Sequence, residues 1–249
     1  MIDRISNNPW LLGGAFVASG VLGAGLFAAA QAMVPGAGGD RAKIEAVVRA
    51  YILDHPEILP EAMQRLQVKE QAEAQRESNV ALKGHPEVVK PFAGAWSGNP
   101  NGDVTIVAFM DYNCGYCRAS LPTLAALIAR DPGIRIVYRE YPVLGDESTE
   151  AARWALAAAD QNKFLAFHNA LYAGDNFDIA AGKAGLDVGA ARAALKSPRV
   201  EGEIAANRKI GYDLRLSGTP GFVIGKSVYH GAMDYASFVR AVAAARAGK

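Results

Sequence analysis

Val104-Thr105-Ile106-Val107-Ala108-Phe109-Met110 is a near-continuous apolar run rich in branched residues, and Cys114-Gly115-Tyr116-Cys117 comes three residues after it. A short apolar run without alternation reads as a strand buried on both faces. Residues 120–130 carry apolar groups at helical spacing through Leu121, Leu124, Leu127 and Ile128, and Ile134-Arg135-Ile136-Val137-Tyr138 reads as a second strand. A strand, a helix and a strand of these lengths form a right-handed crossover with parallel strands. The chain is therefore α/β, with its two cysteines where the first strand hands over to the helix.

That position gives the cysteines their chemistry. The first turn of a helix has unpaired N–H groups and the positive end of the macrodipole, so a thiolate at Cys114 is stabilised there. Such a thiolate attacks a disulfide, and Cys117, one turn later, resolves the mixed disulfide. The same spacing also serves half of a zinc site. A second ligand pair is missing, because the four histidines, at 55, 85, 168 and 230, are scattered. No metal site is expected, and redox use is favoured over inert buried thiols. His230, Arg118 and Tyr116 lie near the motifs, yet such side chains are more often only solvated.

The rest of the chain sets the context. At 249 residues, 51% hydrophobic and 20% charged, it can bury one ordinary core plus a smaller appendage. A net charge of +1 from 26 basic and 25 acidic residues offers no field for a phosphate backbone, which excludes nucleic acid as the expected partner. Residues 10–34 hold no charge, and a span takes roughly 20 helical residues. Residues 1–34 are read as a transmembrane anchor or, given Ala30-Gln31-Ala32, a cleaved signal sequence. Either exports the remainder of the chain.

Residues 35–40, Pro35-Gly36-Ala37-Gly38-Gly39-Asp40, read as a linker. Residues 41–83 form a helical arm: Ile44, Val47, Val48, Tyr51 and Ile52 make one apolar stripe, ended at His55-Pro56, and Leu59, Met63 and Leu66 begin another. Beyond Gln67 the arm turns polar and is expected to stand in solvent. An apolar stripe on a short arm must pack on the body of the protein or on another copy. The stretch 148–216 is alanine-rich and helical, with Trp154, Phe164, Phe167 and Leu171 as core; after it come a hairpin at 220–230 and a closing helix at 235–247. A helical block is thus inserted in a sheet domain.

Phe109-Met110-Asp111-Tyr112-Asn113-Cys114-Gly115-Tyr116-Cys117-Arg118 resembles the active site of the DsbA-like family of thioredoxin-fold oxidoreductases, and Ser217-Gly218-Thr219-Pro220-Gly221-Phe222 resembles its cis-proline loop. The likeness covers residues 88–249. Residues 44–66, with Asp54-His55-Pro56-Glu57, are similar to the N-terminal segment of the ScsC-like subgroup. The resemblance implies a thioredoxin fold with an inserted helical domain, Cys114 and Cys117 as the catalytic pair, Gly115 and Tyr116 as its tuning residues, and no cofactor. It implies that Thr219 and Pro220 present a backbone edge to substrate and keep metal ions off the sulfurs. Implied partners are cysteine-containing proteins, a membrane redox protein of DsbB or DsbD type, the inner membrane and further copies of the chain, all in the periplasm. Gly115-Tyr116 resembles the dipeptide of disulfide isomerases more than the Pro-His of strong oxidants, which favours isomerase or reductase over oxidase. The alternative is a copper-binding or copper-tolerance module on the same cysteines, since paired thiolates suit Cu(I) and ScsC-like proteins are linked to copper tolerance. One departure stands out: many thioredoxin-fold members carry a buried acid six residues before the first cysteine, where this chain has Ala108.

Overall fold

The computed structural model describes residues 37–248, with side chains from residue 41; the expected anchor or signal at 1–34 lies outside the described residues. Among the described residues no helix is long and apolar enough to cross a membrane. The chain divides into two units at Val68/Lys69.

The first unit holds helix α1 (Ala37–Asp54) and the start of helix α2 (Ile58–Leu82). Helix α1 begins inside the expected linker, at Ala37. Helix propagation is cheap once a nucleus exists, and Gly38 and Gly39 each cost only about 1 kcal/mol against alanine. The break at residues 55–57 coincides with His55-Pro56, the dipeptide expected to end the helix. Ile44, Val47, Val48, Tyr51, Leu59, Met63 and Leu66 are all exposed.

The second unit is a five-stranded sheet of order β1-β3-β2-β4-β5, flanked by helices. Its strands are β1 (Trp96–Gly98), β2 (Val104–Met110), β3 (Ile134–Glu140), β4 (Gly221–Ile224) and β5 (Ser227–His230). Strands β2 and β3 run parallel, joined through helix α3 (Gly115–Arg130), and the other pairs are antiparallel. Strand β1 gives no sequence signal, being three residues long. Helices α4 (Asp146–Asp160), α5 (Phe164–Tyr172), α6 (Phe177–Ala184), α7 (Val188–Ala194) and α8 (Pro198–Asp213) form the block between β3 and β4, and α9 (Tyr235–Ala247) closes the chain. This is a mixed α/β, thioredoxin-like architecture.

The apolar run of β2 is explained by two cores. Val104, Ile106, Ala108 and Met110 join the cluster containing both cysteines, Trp154, Phe164 and Phe167. Val107 and Phe109 point the other way, into a cluster with Leu82, Val88, Ile210 and Leu216. Alternation along the strand thus feeds two buried faces, which is why Thr105, next to its start, is its single polar position.

The polar stretch of α2 stands in solvent as expected through most of residues 68–77, but its last turns pack against the sheet domain. Ser78 and Leu82 are buried, the Gln75 amide donates to the Val228 carbonyl, and the Val228 N–H donates to Asn79 Oδ1 at 2.8 Å. Strand β5 is a sheet edge with unpaired backbone groups, and two side-chain amides supply the partners a further strand would otherwise give. Helical periodicity of apolar residues carries no trace of such a contact.

Candidate active site

The site forms where β2 ends and α3 begins. Cys114 is the N-cap of α3, with extended backbone angles, and its sulfur accepts from the Cys117 N–H at 3.4 Å. A sulfur in the N-cap position receives the helix's first unpaired donors, so negative charge on it is favoured. Cys117 lies a turn later and is fully buried, whereas Cys114 keeps 7% of its surface. Both cysteines are free thiols.

The loop before β4 meets the sulfur from the other side. The peptide bond between Thr219 and Pro220 is cis, and the Cys114 thiol donates to the Thr219 carbonyl oxygen at 3.2 Å. Pro220 is buried and Thr219 partly so. Cys114 and Thr219, 105 positions apart, are thereby brought together. Gly115 and Tyr116 lie on the exposed first turn, where Tyr116 is 72% accessible. Arg118 and His230 are also exposed.

The two sulfurs differ in acidity. Burial is the largest influence on Cys114 and raises its pKa. Hydrogen bonds from the Thr219 side chain and at Cys117 and Tyr116 outweigh it, so the thiol lies below its ordinary value. Burial pushes Cys117 up to about 12, against hydrogen bonds at the Asp111 backbone and the Thr219 side chain. Cys114 is thus the more readily ionised of the two sulfurs, and Cys117 holds its proton.

Two features of the site escape sequence reasoning. Strand alternation assigns Asp111 no role, but β2 ends at Met110 and alternation stops there. The Asp111 carboxylate, 1% exposed, accepts from the N–H groups of Asn113, Val143 and Leu144 and from the Ser148 hydroxyl. Its own carbonyl accepts from the Cys114 N–H at 3.1 Å and the Tyr172 hydroxyl at 2.9 Å. A charged residue closing an apolar strand just before the motif is the available signal.

The second feature is a buried polar group on the cysteine side of the sheet. Ala108 and Met110 pair in register with Tyr138 and Glu140 on β3. Glu140 is 2% exposed and accepts from the Tyr112 hydroxyl at 3.2 Å, while that hydroxyl lies 2.9 Å from His168 Nδ1. Burial holds the Glu140 carboxyl well above the usual carboxylate range and drives His168 down to about 3. Among the described residues no cluster of three or more His, Cys, Asp or Glu side chains is arranged to hold a metal ion.

Residues 105–243 match the family described as DSBA-like thioredoxin domain, and residues 40–73 match the copper resistance protein ScsC N-terminal domain. A thioredoxin-like oxidoreductase from Silicibacter pomeroyi DSS-3 is 37% identical, with 65% of this chain and 98% of that one covered at a TM-score of 0.62. Proteus mirabilis ScsC in a transitional conformation is 26% identical, with 87% of this chain and 99% of that one covered at a TM-score of 0.61. Among curated proteins, the Na(+)/H(+) antiporter NhaA 3 of Salinispora tropica is 29% identical over 156 residues, which are 59% of this chain and 24% of the antiporter. The chain spans about a quarter of the length of the curated relatives it matches.

Proposed function

Because the chain belongs to the DSBA-like thioredoxin domain family, we propose that it is an extracytoplasmic thiol–disulfide oxidoreductase acting on cysteine-containing proteins through Cys114 and Cys117, as an isomerase or reductase rather than an oxidase. The observation that carries this reading is the inequality of two sulfurs one helical turn apart. The Cys114 thiolate attacks a substrate disulfide, forming a mixed disulfide and releasing one substrate thiolate. In reduction, Cys117 gives up its proton and attacks the Cys114 sulfur, closing the pair and releasing the second substrate thiolate. In isomerisation, another substrate thiolate attacks the mixed disulfide and regenerates the Cys114 thiolate. Thr219 and Pro220 supply the edge along which the substrate backbone lies, and Gly115-Tyr116 adds no charge that would strengthen the pair as an oxidant.

A reductase or isomerase must be kept reduced, which calls for a membrane electron donor of DsbD type; an oxidase would need a DsbB-type acceptor. The uncharged residues 10–34 fit an anchor in, or export across, the inner membrane into the periplasm. The exposed apolar stripe through Ile44, Val47, Val48 and Tyr51 supports self-association of the arm. Sedimentation of Val47→Glu beside the parent protein tests it, with a lower oligomeric state expected and an unchanged one ruling the stripe out.

Insulin reduction and refolding of scrambled ribonuclease test the activity. Cys117→Ser is expected to accumulate mixed disulfides through Cys114, and absence of both activities and of trapped partners would overturn the reading. Thiol labelling in intact cells separates the directions: a mostly reduced pair supports isomerase or reductase, and a mostly oxidised pair an oxidase. The second reading, a copper-binding module on the same thiols, is supported by the ScsC N-terminal match. Cu(I) titration of the reduced protein decides it, because tight binding without disulfide exchange would reverse the ranking.

A further inference from the structure

The loop that carries Thr219 and Pro220 is seated at its start by contacts that two glycines make possible. Leu216 is buried between the exposed Arg215 and Ser217. Its N–H donates to the Gly211 carbonyl at 2.9 Å, and its side chain lies across Gly221, the first residue of β4. A Cβ on Gly221 would come within 2.8 Å of Leu216 Cδ2. Glycine in a strand marks a close approach of this kind, and here it lets Leu216 touch the residue at the loop's far end.

Tyr141, 6% exposed, holds Leu216 from another side. Its hydroxyl donates to the Leu216 carbonyl at 3.3 Å, and its ring stands against Gly211 in α8, where a Cβ would come within 2.6 Å of the ring. A glycine inside a helix costs about 1 kcal/mol against alanine, so α8 gives up stability where it admits this ring. The same residue is fastened to the cysteine side of the site. The Tyr141 N–H donates to the Met110 carbonyl at 2.8 Å, one rung beyond the last paired residues of β2 and β3, and its ring meets Phe109 edge-on with centroids 5.9 Å apart. Next after Met110 is Asp111, whose carbonyl accepts from the Cys114 N–H. One tyrosine thus connects the end of β2, where the cysteine turn begins, to the start of the loop bearing Thr219.

We infer that Tyr141 is a positioning residue that sets the gap between the Cys114 sulfur and the backbone edge at Thr219, by tying the start of the Thr219 loop to the end of β2. This rests on the disulfide-exchange reading and deepens it, since a substrate's sulfur and backbone must both fit that gap. Cys114 donates to the Thr219 carbonyl across it at 3.2 Å. Burial raises the Cys114 pKa, and a hydrogen bond from the Thr219 side chain is the first of the contacts that lower it. Without the tyrosine hydroxyl the loop start is freer, Thr219 moves relative to the sulfur, and part of that support is withdrawn. Burial raises the pKa of Tyr141 itself, with Arg208 opposing, so its hydroxyl remains a donor through neutral pH.

The test follows alkylation of Cys114 by iodoacetamide against pH in the reduced full chain, read by peptide mapping. Tyr141→Phe keeps the ring against Gly211 and Phe109 and removes the donor. Because the lost bond is long for an O–H donor, the change is expected to slow alkylation by about twofold to threefold on the acid limb of the profile, moving its midpoint to higher pH. On the Thr219→Val background the same change is expected to give no further rise, since residues of one network that act through each other do not add. A tyrosine that only fills the core would lower the urea midpoint and leave both alkylation profiles where they are. An unmoved Cys114 profile in Tyr141→Phe, or an equal rise on the Thr219→Val background, overturns the proposal. Should Tyr141→Phe not fold, Leu216→Val trims the side chain over Gly221 and carries the same expectation and the same refutation. Alkylation needs no disulfide, so these outcomes are independent of whether exchange itself is observed.

Discussion

The Cys114 sulfur is held between two backbones: it donates to the Thr219 carbonyl oxygen at 3.2 Å and accepts from the Cys117 N–H at 3.4 Å. The first contact favours the thiol and the second the thiolate, and the balance with the remaining donors falls on the thiolate side. Cys117 also has hydrogen bonds that favour its thiolate, at the Asp111 backbone and the Thr219 side chain, but burial outweighs them and keeps its proton in place.

Selective alkylation is the first consequence of this difference. At pH 7 iodoacetamide is expected to modify Cys114 and spare Cys117, whose thiolate is scarce below a pKa of about 12 and whose sulfur is fully buried. The rate should fall as pH drops through the Cys114 pKa, because only the thiolate reacts. Peptide mapping by mass spectrometry reads the site, and equal labelling of the two residues would contradict the assignment.

The Thr219 hydroxyl supplies a separate prediction. Its side-chain hydrogen bond lowers the pKa of both cysteines. Thr219→Val keeps the volume and removes the donor, so the Cys114 pKa should rise and alkylation near neutrality should slow severalfold. Thr219→Ser retains the hydroxyl and should restore the parental profile. The ultraviolet thiolate absorbance followed against pH is the measurement, and superimposable curves for Val and Thr would show that the hydroxyl does not act.

Arg139 lies on β3, is 5% exposed and uses its donors fully. Nε donates to the Val88 carbonyl, Nη2 to those of Glu87 and Lys90, and Nη1 to Glu203 and Asn207. Arg139→Met strands three backbone carbonyls, the Asn207 amide oxygen and a carboxylate and should cost about 3–5 kcal/mol in urea unfolding. Glu203→Gln should cost less, since the guanidinium keeps its other partners. A loss under about 1 kcal/mol for Arg139→Met would place this cluster among surface pairs.

What the sequence makes legible is what repeats along it. Residues 104–110, 221–230 and 235–247 fall where apolar runs, glycine and helical spacing place them, because both faces of β2 and one face of α9 are apolar. The cysteine turn is legible through its spacing and its place after an apolar strand, since Cys114 and Cys117 share the first turn of α3. Asp111, Glu140, His168 and Arg139 are not, because each is stabilised by partners far along the chain. Arg139 reaches Asn207 across 68 positions and Tyr112 reaches His168 across 56, and no local pattern encodes such pairings. The dock of Gln75 and Asn79 on Val228 is hidden for the same reason.

Glu140 and His168 make opposite contributions to stability as pH changes. The folded Glu140 pKa is raised by burial. Its contribution is therefore present below the unfolded carboxyl value of about 4.3 and is lost as pH rises toward the folded value. His168 is lowered to about 3, so the folded protein holds it neutral while the unfolded chain protonates it below about 6.5. Stability from that source is gained as pH rises from about 3 to the unfolded value. Between about pH 5 and 6.5 the two proton differences oppose each other, and the parent protein should show little net slope from this pair. Glu140→Gln keeps an acceptor for the Tyr112 hydroxyl but cannot ionise. Its stability should therefore climb relative to the parent over that window, by at most about 1.4 kcal/mol per pH unit. The advantage should keep growing until the parental carboxyl has ionised. Urea unfolding of both proteins at half-unit steps from about pH 5 to 8 measures the difference, from which unrelated titrations cancel. Parallel curves would mean that Glu140 titrates as it does in the unfolded chain, and that the hydrogen bond from Tyr112 offsets the whole cost of burying its charge.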